Sequence, residues 1–354
     1  MTNDNLRVRM QDVARKAGVS TATVGRVLHN RGYVSENARK LVEQAIQETG
    51  FTINLVAQSL RRQRSYTIGH ILTSLLPNPF FAGVEVGVEE VAIARGYNVV
   101  LWNAVQSAER ERQGVEAFIQ RQVEAIIFTT PRSAANIELA ISAGIEVVQV
   151  ERPTRIDSHM VLIDNYSGAR AAVEHLLQLG HQRIGYLGKV LPGSPEVVDN
   201  QRFRGYMDAL EAAGIHADEQ RILLELDPYS IQDGNKGLRQ LLANDPDVTA
   251  VLVFSDIMAS GVLQAAYELR LRIPDDLSVI GFDNTYAAYL SPALSTVAIP
   301  MVDVGKAAAQ VAIDAIENRQ RQLQFYGKRL ATELIIRGST AVLQPRRAGY
   351  GQNT

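Results

Sequence analysis

The chain has 354 residues, 46% of them hydrophobic, with 36 Lys and Arg against 38 Asp and Glu; this suits two or three soluble globular domains with a well-buried core. It contains no cysteine, which excludes disulfides, thiolate metal sites and cysteine nucleophiles. The opening MTNDNLRVRMQD holds no apolar core of signal-peptide length, and no later run approaches about 18 apolar residues, so a cytoplasmic protein without a membrane partner is expected.

Charge is unevenly spread. Residues 1–65 carry 11 Lys/Arg and 5 Asp/Glu, a local charge of +6 that leaves −8 on the remainder. A small basic segment ahead of a large acidic body suggests a nucleic-acid reader joined to another module. Within that segment, residues 10–50 read as three short helices. The first runs from Met10 to Lys16 with Val13, Ala14 and Ala17 on one side, and Gly18 supplies the turn after it. Ser20 caps the second helix, over 21–29. Ser35 caps the third, whose Ala38, Leu41, Val42, Ala45 and Ile46 follow helical spacing until Gly50 ends it. Two short helices around a glycine turn, followed by a third, is the helix-turn-helix plan.

Residues 51–65 read as a basic linker with a helical stretch near 55–61. Beyond Tyr66, β-rich runs (TIGHIL, NVVLW, AIIFTT, VVQV, MVLID, RIGYLG, ILLEL, AVLVF, LSVIGFD) alternate with amphipathic stretches at 83–95, 109–121, 133–143, 167–179, 201–213, 232–243, 259–270 and 303–317. This alternation predicts a parallel-sheet α/β body. Nine strands exceed one ordinary sheet, so two similar lobes are expected.

The helix at 21–29 has two unlike faces. At ~100° per residue, Thr21, Gly25, His29, Ala22 and Arg26 share one side, and Thr23, Val24, Val27 and Leu28 the other. The first side bears small or hydrogen-bonding groups and one arginine, with none of the Glu and Lys of an ordinary solvated face. Such a surface sinks into a major groove, where arginine reaches guanine O6 and N7 and small methyls meet thymine. Gly25 stands mid-helix at a cost of about 0.5–1 kcal/mol.

The stretch MQDVARKAGVSTATVGRVLHN resembles the N-terminal signature of the LacI–GalR family of bacterial transcription regulators, D-V-A-x-x-A-G-V-S-x-x-T-V-S-R-V-L-N. Asp12, Val13, Ala14, Ala17, Gly18, Val19, Ser20, Thr23, Val24, Arg26, Val27 and Leu28 match it; Gly25 stands for the usual serine, His29 for asparagine, and Arg9 for a capping threonine. The resemblance implies that Thr21, Ala22 and Arg26 read base edges while Ser20, Thr23, Gly25 and His29 lie among the DNA-contacting positions. In NLVAQSLRR it implies a hinge helix in which Asn54, Ala57 and Leu60 meet the minor groove, with Leu60 as wedge.

It extends from about residue 9 to 343. The implied plan is a headpiece over 1–52, hinge and linker over 53–65, a two-lobed, type I periplasmic-binding-protein-like domain over 66–344, and a flexible tail over 345–354. The first lobe is expected to take 66–163 and 300–324, the second 164–290 and 325–344. Ligands of open α/β sheets bind beyond the carboxyl ends of the strands. The effector positions implied there are Phe80 and Phe81 in LPNPFF, Glu151 and Arg152 in QVERP, Arg202 in NQRFRGY, Tyr229 in DPYS, Ser255 and Asp256 in VFSD, and Asp283 in GFDN. A polar, aromatic-edged cleft of this kind suits a sugar, sugar acid or polyol.

Enzyme and transport readings are disfavoured. The chain shows no G-x-G-x-x-G, Walker A, H-E-x-x-H or G-x-S-x-G motif, and its six histidines have no metal-ligand spacing. Neither metal nor cofactor is expected. A transport-type sugar-binding protein would carry a secretion signal and no headpiece, and a nonspecific DNA packager would not need the acidic body. The tail after Leu343 lacks leucine heptads, so a homodimer on a pseudopalindromic double-stranded operator is expected, with effector binding releasing DNA from a carbohydrate-gene repressor.

Overall fold

The computed structural model describes residues 8–28, 32–51, 64–190, 198–319 and 325–344. His29, the hinge positions Asn54, Ala57 and Leu60, and the tail over 345–354 lie outside the described residues. The chain forms two compact units, Met1–Ser65 and Tyr66–Thr354. Among the described residues no helix is long and apolar enough to cross a membrane.

The N-terminal unit is three helices, α1 (Met10–Ala17), α2 (Thr21–Leu28) and α3 (Glu36–Thr49). Its core is small aliphatic side chains: Val13, Ala14 and Ala17 of α1, Val24 and Val27 of α2, Val42 and Ala45 of α3. Gly18 takes φ +64 in the turn, a left-handed conformation that glycine adopts without a steric penalty. The Ser20 hydroxyl accepts the Thr23 N–H at 3.1 Å, satisfying an otherwise unpaired donor at the start of α2. Ser35 does the same for α3 through Ala38 N–H at 3.3 Å. Lys16 pairs with Glu48 at 2.9 Å, linking α1 to α3. Leu41, expected inward from its spacing, is instead 42% exposed, because α3 buries the narrower stripe of Val42 and Ala45.

The second unit holds two six-stranded sheets. The first runs β11-β5-β4-β3-β1-β2, all parallel, from β1 (Thr67–Leu72), β2 (Asn98–Asn103), β3 (Ala125–Thr129), β4 (Glu146–Val150), β5 (His159–Ile163) and β11 (Gly327–Leu330). The second runs β12-β10-β9-β8-β6-β7, from β6 (Ile184–Leu187), β7 (Ile222–Leu223), β8 (Ala250–Val253), β9 (Ser278–Asp283), β10 (Ser295–Ala298) and β12 (Glu333–Ile335). Only the β10–β12 pair is antiparallel. Helices α4 (Phe80–Ala94), α5 (Ala108–Gln120), α6 (Ala134–Ser142) and α11 (Met301–Glu317) accompany the first sheet. Helices α7 (Asn165–Gln178), α8 (Val198–Ala212), α9 (Ile231–Asn244) and α10 (Asp256–Glu268) accompany the second.

The nine strand runs and eight body helices read from sequence all form. Three short strands, β10 to β12, were not in that reading. The lobe boundary also differs: β11 pairs in parallel with β5, in register Gly327–Met160 to Leu330–Ile163, so residues 327–330 complete the first sheet rather than the second lobe. The chain therefore crosses between lobes after β5, between β10 and α11, and between β11 and β12. Helices α4 and α11 approach through glycine: a Cβ at Gly305 would stand 1.9 Å from the Val84 carbonyl oxygen, and one at Gly87 2.0 Å from that of Val302. The second lobe repeats the device between α9 and α10, at Gly234 and Gly261.

Candidate functional site

In the N-terminal unit the exposed face of α2 is the one the residue spacing marks. Thr21, Ala22 and Arg26 are exposed, Thr23 and Gly25 half-exposed, and Val24 and Val27 buried. Ser20 bonds the Thr23 hydroxyl at 2.9 Å as well as its N–H. That contact occupies both groups in holding the start of α2. A Cβ at Gly25 would meet nothing within 4 Å.

In the second unit each sheet follows a 2-1-3-4-5 strand order, with a topological switch between its first and third strands, where a crevice opens at the carboxyl ends. A cavity of about 560 Å³ lies there. The segment after β1 lines it with Thr73, Asn78 and Phe81, the loop after β3 with Thr130, Pro131 and Arg132, and the residue pair after β6 with Lys189. Arg152 after β4 and the Asp227–Tyr229 turn complete the opposing walls. Phe81, Arg152 and Tyr229 of the sequence-derived positions thus line the cavity.

Behind the lining runs a buried chain of polar groups. The Arg202 guanidinium, 3% exposed, donates from Nε to Asn165 Oδ1 at 2.9 Å, from Nη2 to Asp283 Oδ1 at 3.3 Å, and from Nη1 to the Phe254 carbonyl. It lies between the Phe254 and Phe282 rings, 4.4 and 3.7 Å from their centroids, which holds its plane fixed. Asn165 Nδ2 donates to Glu151 Oε1 at 3.0 Å, and Asn78 Nδ2 donates to Asp283 Oδ2 at 3.1 Å. Glu151 and Asn78 follow strands of the first sheet, whereas Asp283 ends β9 of the second, so the chain links both lobes. Tyr286 adds a hydroxyl bond to the Pro77 carbonyl at 3.0 Å.

Burial dominates the electrostatics. It pushes Glu151 up to about 7 against the attraction of Arg202 and the Asn165 hydrogen bond. It pushes Asp283 up to about 6 against Arg202 and Asn78. Glu151 Oε2 is buried with no partner, so near neutrality this carboxyl has an uncommitted oxygen for a ligand hydroxyl.

Phe80, Ser255 and Asp256 do not line the cavity. Phe80 is buried with its ring edge-on to Phe81 at 5.3 Å. Ser255 caps α10 by accepting the Met258 N–H at 3.2 Å and donates to the Pro228 carbonyl. Asp256 is fully buried, accepting from Thr296 Oγ1 at 2.6 Å and Thr285 N–H at 2.7 Å. Burial, with Asp283 nearby, lifts Asp256 to about 7. Asp256 thus fastens β10 and the post-β9 turn to α10, and Ser255 ties the start of α10 to the Pro228 turn. Sequence reasoning missed Asn78 and Asn165, although both follow strand runs already in view. Among the described residues no cluster of His, Cys, Asp and Glu is arranged to hold a metal ion.

Two family models match: bacterial regulatory proteins of the lacI family over residues 9–54, and the periplasmic binding protein-like domain over 173–340. The ribose operon repressor of Halalkalibacterium halodurans is 34% identical over 332 residues, covering 94% of this chain and 96% of that protein. The chain belongs to the LacI family of bacterial regulatory proteins. The HTH-type transcriptional repressor CytR of Escherichia coli is 35% identical over 340 residues, with 94% and 96% coverage. Among solved structures, the lac repressor dimer bound to operator and the anti-inducer ONPF superposes with a TM-score of 0.81 at 27% identity, covering 95% of this chain and 100% of that one. The regulator CelR in its cellobiose complex gives 0.71 at 28%, covering 94% and 100%. A LacI-family regulator from Enterococcus faecium with bound ribose gives 0.68 at 28%, covering 78% and 100%. The LacI-family headpiece and effector domain read from the sequence are thus both present in one regulator.

Proposed function

We propose that this chain is a cytoplasmic, homodimeric repressor of carbohydrate uptake or catabolism genes. It binds a pseudopalindromic operator through α2 and is released by a small carbohydrate in the interlobe cleft. The observation that carries the reading is the joint presence of two features. One is an α2 face exposing Thr21, Ala22 and Arg26. The other is a cleft where buried Arg202 and Asp283 of one lobe meet Asn78 and Glu151 of the other. A ligand hydroxyl satisfying Glu151 Oε2 or replacing Asn78 at Asp283 interacts differently with open and closed lobes. That differential interaction is the requirement for shifting a conformational equilibrium. A coupling of about 1–3 kcal/mol between cleft and operator suffices for 5–150-fold regulation.

The relatives named as ribose operon repressors, and the similar structures solved with cellobiose and with ribose, support a carbohydrate over other small molecules. Selection of duplexes from a random pool by the full chain tests the first half: a twofold-symmetric consensus is expected, and recovery of unrelated sequences would refute it. For the second half, Asp283→Asn keeps the residue's shape and leaves an oxygen for Arg202. The variant should retain the selected operator and lose its response to effector. A response of wild-type size would remove Asp283 from the site.

A further inference from the structure

The cavity wall carries an imbalance of charge. Its ionisable lining groups among the described residues are Arg132, Arg152 and Lys189 against one carboxylate, Asp227. The three cations arrive from separate strand ends, after β3, β4 and β6, so no single sequence run brings them together. Among the described residues neither Arg132 nor Lys189 has a carboxylate within ion-pair distance. The buried Glu111 beside Arg132 is committed to the backbone N–H groups of Arg132 and Ser133 at 2.8 and 3.1 Å, and to Asn136 at 2.8 Å. Asp227 likewise accepts the Tyr229 N–H at 3.1 Å.

The walls sharpen the point. Pro77, Pro131, Pro153 and Pro228 all line the cavity, and proline has no N–H to offer an anion. The strongest donors to negative charge there are the cationic side chains, of which arginine grips phosphate or carboxylate in bidentate fashion and lysine acts as a point charge. Building on the effector reading above, we propose that the cleft selects a carbohydrate bearing an anionic group, a phosphorylated sugar or a sugar acid, held by Arg132, Arg152 and Lys189.

Calorimetry on the full chain with matched pairs tests this: ribose against ribose 5-phosphate, and glucose against glucose 6-phosphate and gluconate, with inorganic phosphate alone as a further probe. The anionic member should bind at least tenfold more tightly, the preference should shrink between 50 and 300 mM salt by about the screening expected of partly exposed charges, and Lys189→Met with Arg132→Gln should abolish it. Comparing glucose 6-phosphate with gluconate separates phosphate from carboxylate. Neutral sugars binding as tightly as their anionic partners would overturn the proposal, as would no binding of any anionic probe at about 10 mM. Operator release by a neutral sugar alone would overturn it while upholding the effector reading. Anion-selective binding that leaves the operator complex unchanged would uphold the ligand chemistry and refute the regulatory reading.

Discussion

Glu151→Gln isolates the cost of the buried, half-committed carboxyl between the lobes. Raising that group from 4.5 to about 7 corresponds to about 3 kcal/mol when it is fully ionised, at ~1.36 kcal/mol per pH unit. The folded protein holds this proton in a range where the unfolded chain has released it. Stability from this residue is therefore undiminished below about pH 4.5, falls as pH rises toward about 7, and is lost above. Glutamine keeps an oxygen for Asn165 and never ionises. The variant should match the parent near pH 4.5 and gain progressively on it up to pH 8. About 3 kcal/mol is the upper limit, because Asp283 titrates in the same cluster. At ~2 °C per kcal/mol for a unit of this size, the melting difference reaches about 6 °C. The single Trp102, whose indole N–H donates to the Arg110 carbonyl at 2.7 Å in the first lobe, reports the transition by fluorescence. The diagnostic is the difference between variant and parent, since other carboxylates shape the absolute profile. A difference that stays flat from pH 5 to 8, or shrinks, would refute the reasoning.

Gly305→Ala drives a Cβ to 1.9 Å from the Val84 carbonyl and should cost about 3 kcal/mol or more by separating α4 from α11. Gly327→Ala, which meets nothing within 4 Å, should be nearly silent in the same melting assay. Arg26→Ala should lose about 1–3 kcal/mol at its base pair in competition binding at fixed salt, with little change on unrelated DNA; an unaltered base preference would remove it from the groove. Gly25→Ser has open space around it and should raise α2 protection in hydrogen exchange by about 0.5 kcal/mol. Its effect on operator affinity separates a missing hydroxyl contact, which it would restore, from close approach, which it would obstruct.

The sequence made the body strands legible because each carries an apolar run, buried on both faces in central strands such as AIIFT and AVLV. STVA, GKRL and ELI carry no such signal. β11 is held by β5, more than 160 residues earlier in the chain, and missing it displaced the third crossover; β10 and β12 pair over shorter spans, but as four- and three-residue strands they leave no apolar run. Asp283 was legible as a charge at a strand end, and Arg202, inside α8, through the family's R-x-x-G-[FY] element that NQRFRGY resembles. The same reasoning also picked out Ser255 and Asp256, whose polarity fastens α10 instead of facing the cavity. Asn78 and Asn165 were overlooked because a neutral amide in a loop has no periodic or charge signature. Only the fold reveals that each joins the two lobes. Leu41 shows the same limit in the headpiece: helical spacing gives a direction but not the width of the buried stripe.

The interleaving of the lobes bears on how the chain emerges during synthesis. The three-helix unit is finished once residue 51 is out. The first lobe, begun at β1, lacks α11 until residue 317 and its edge strand β11 until residue 330. After β5 ends at residue 163, translation at ~5–20 residues per second leaves that sheet waiting roughly 10–30 s for its last helix and strand. Through that interval the α4 surface that receives α11 stays uncovered, while the α2 face of the headpiece is already formed. A chain cut short between residues 51 and 327 would leave both sheets lacking their outermost strand, β11 in one and β12 in the other, and would still carry all three helices of the N-terminal unit.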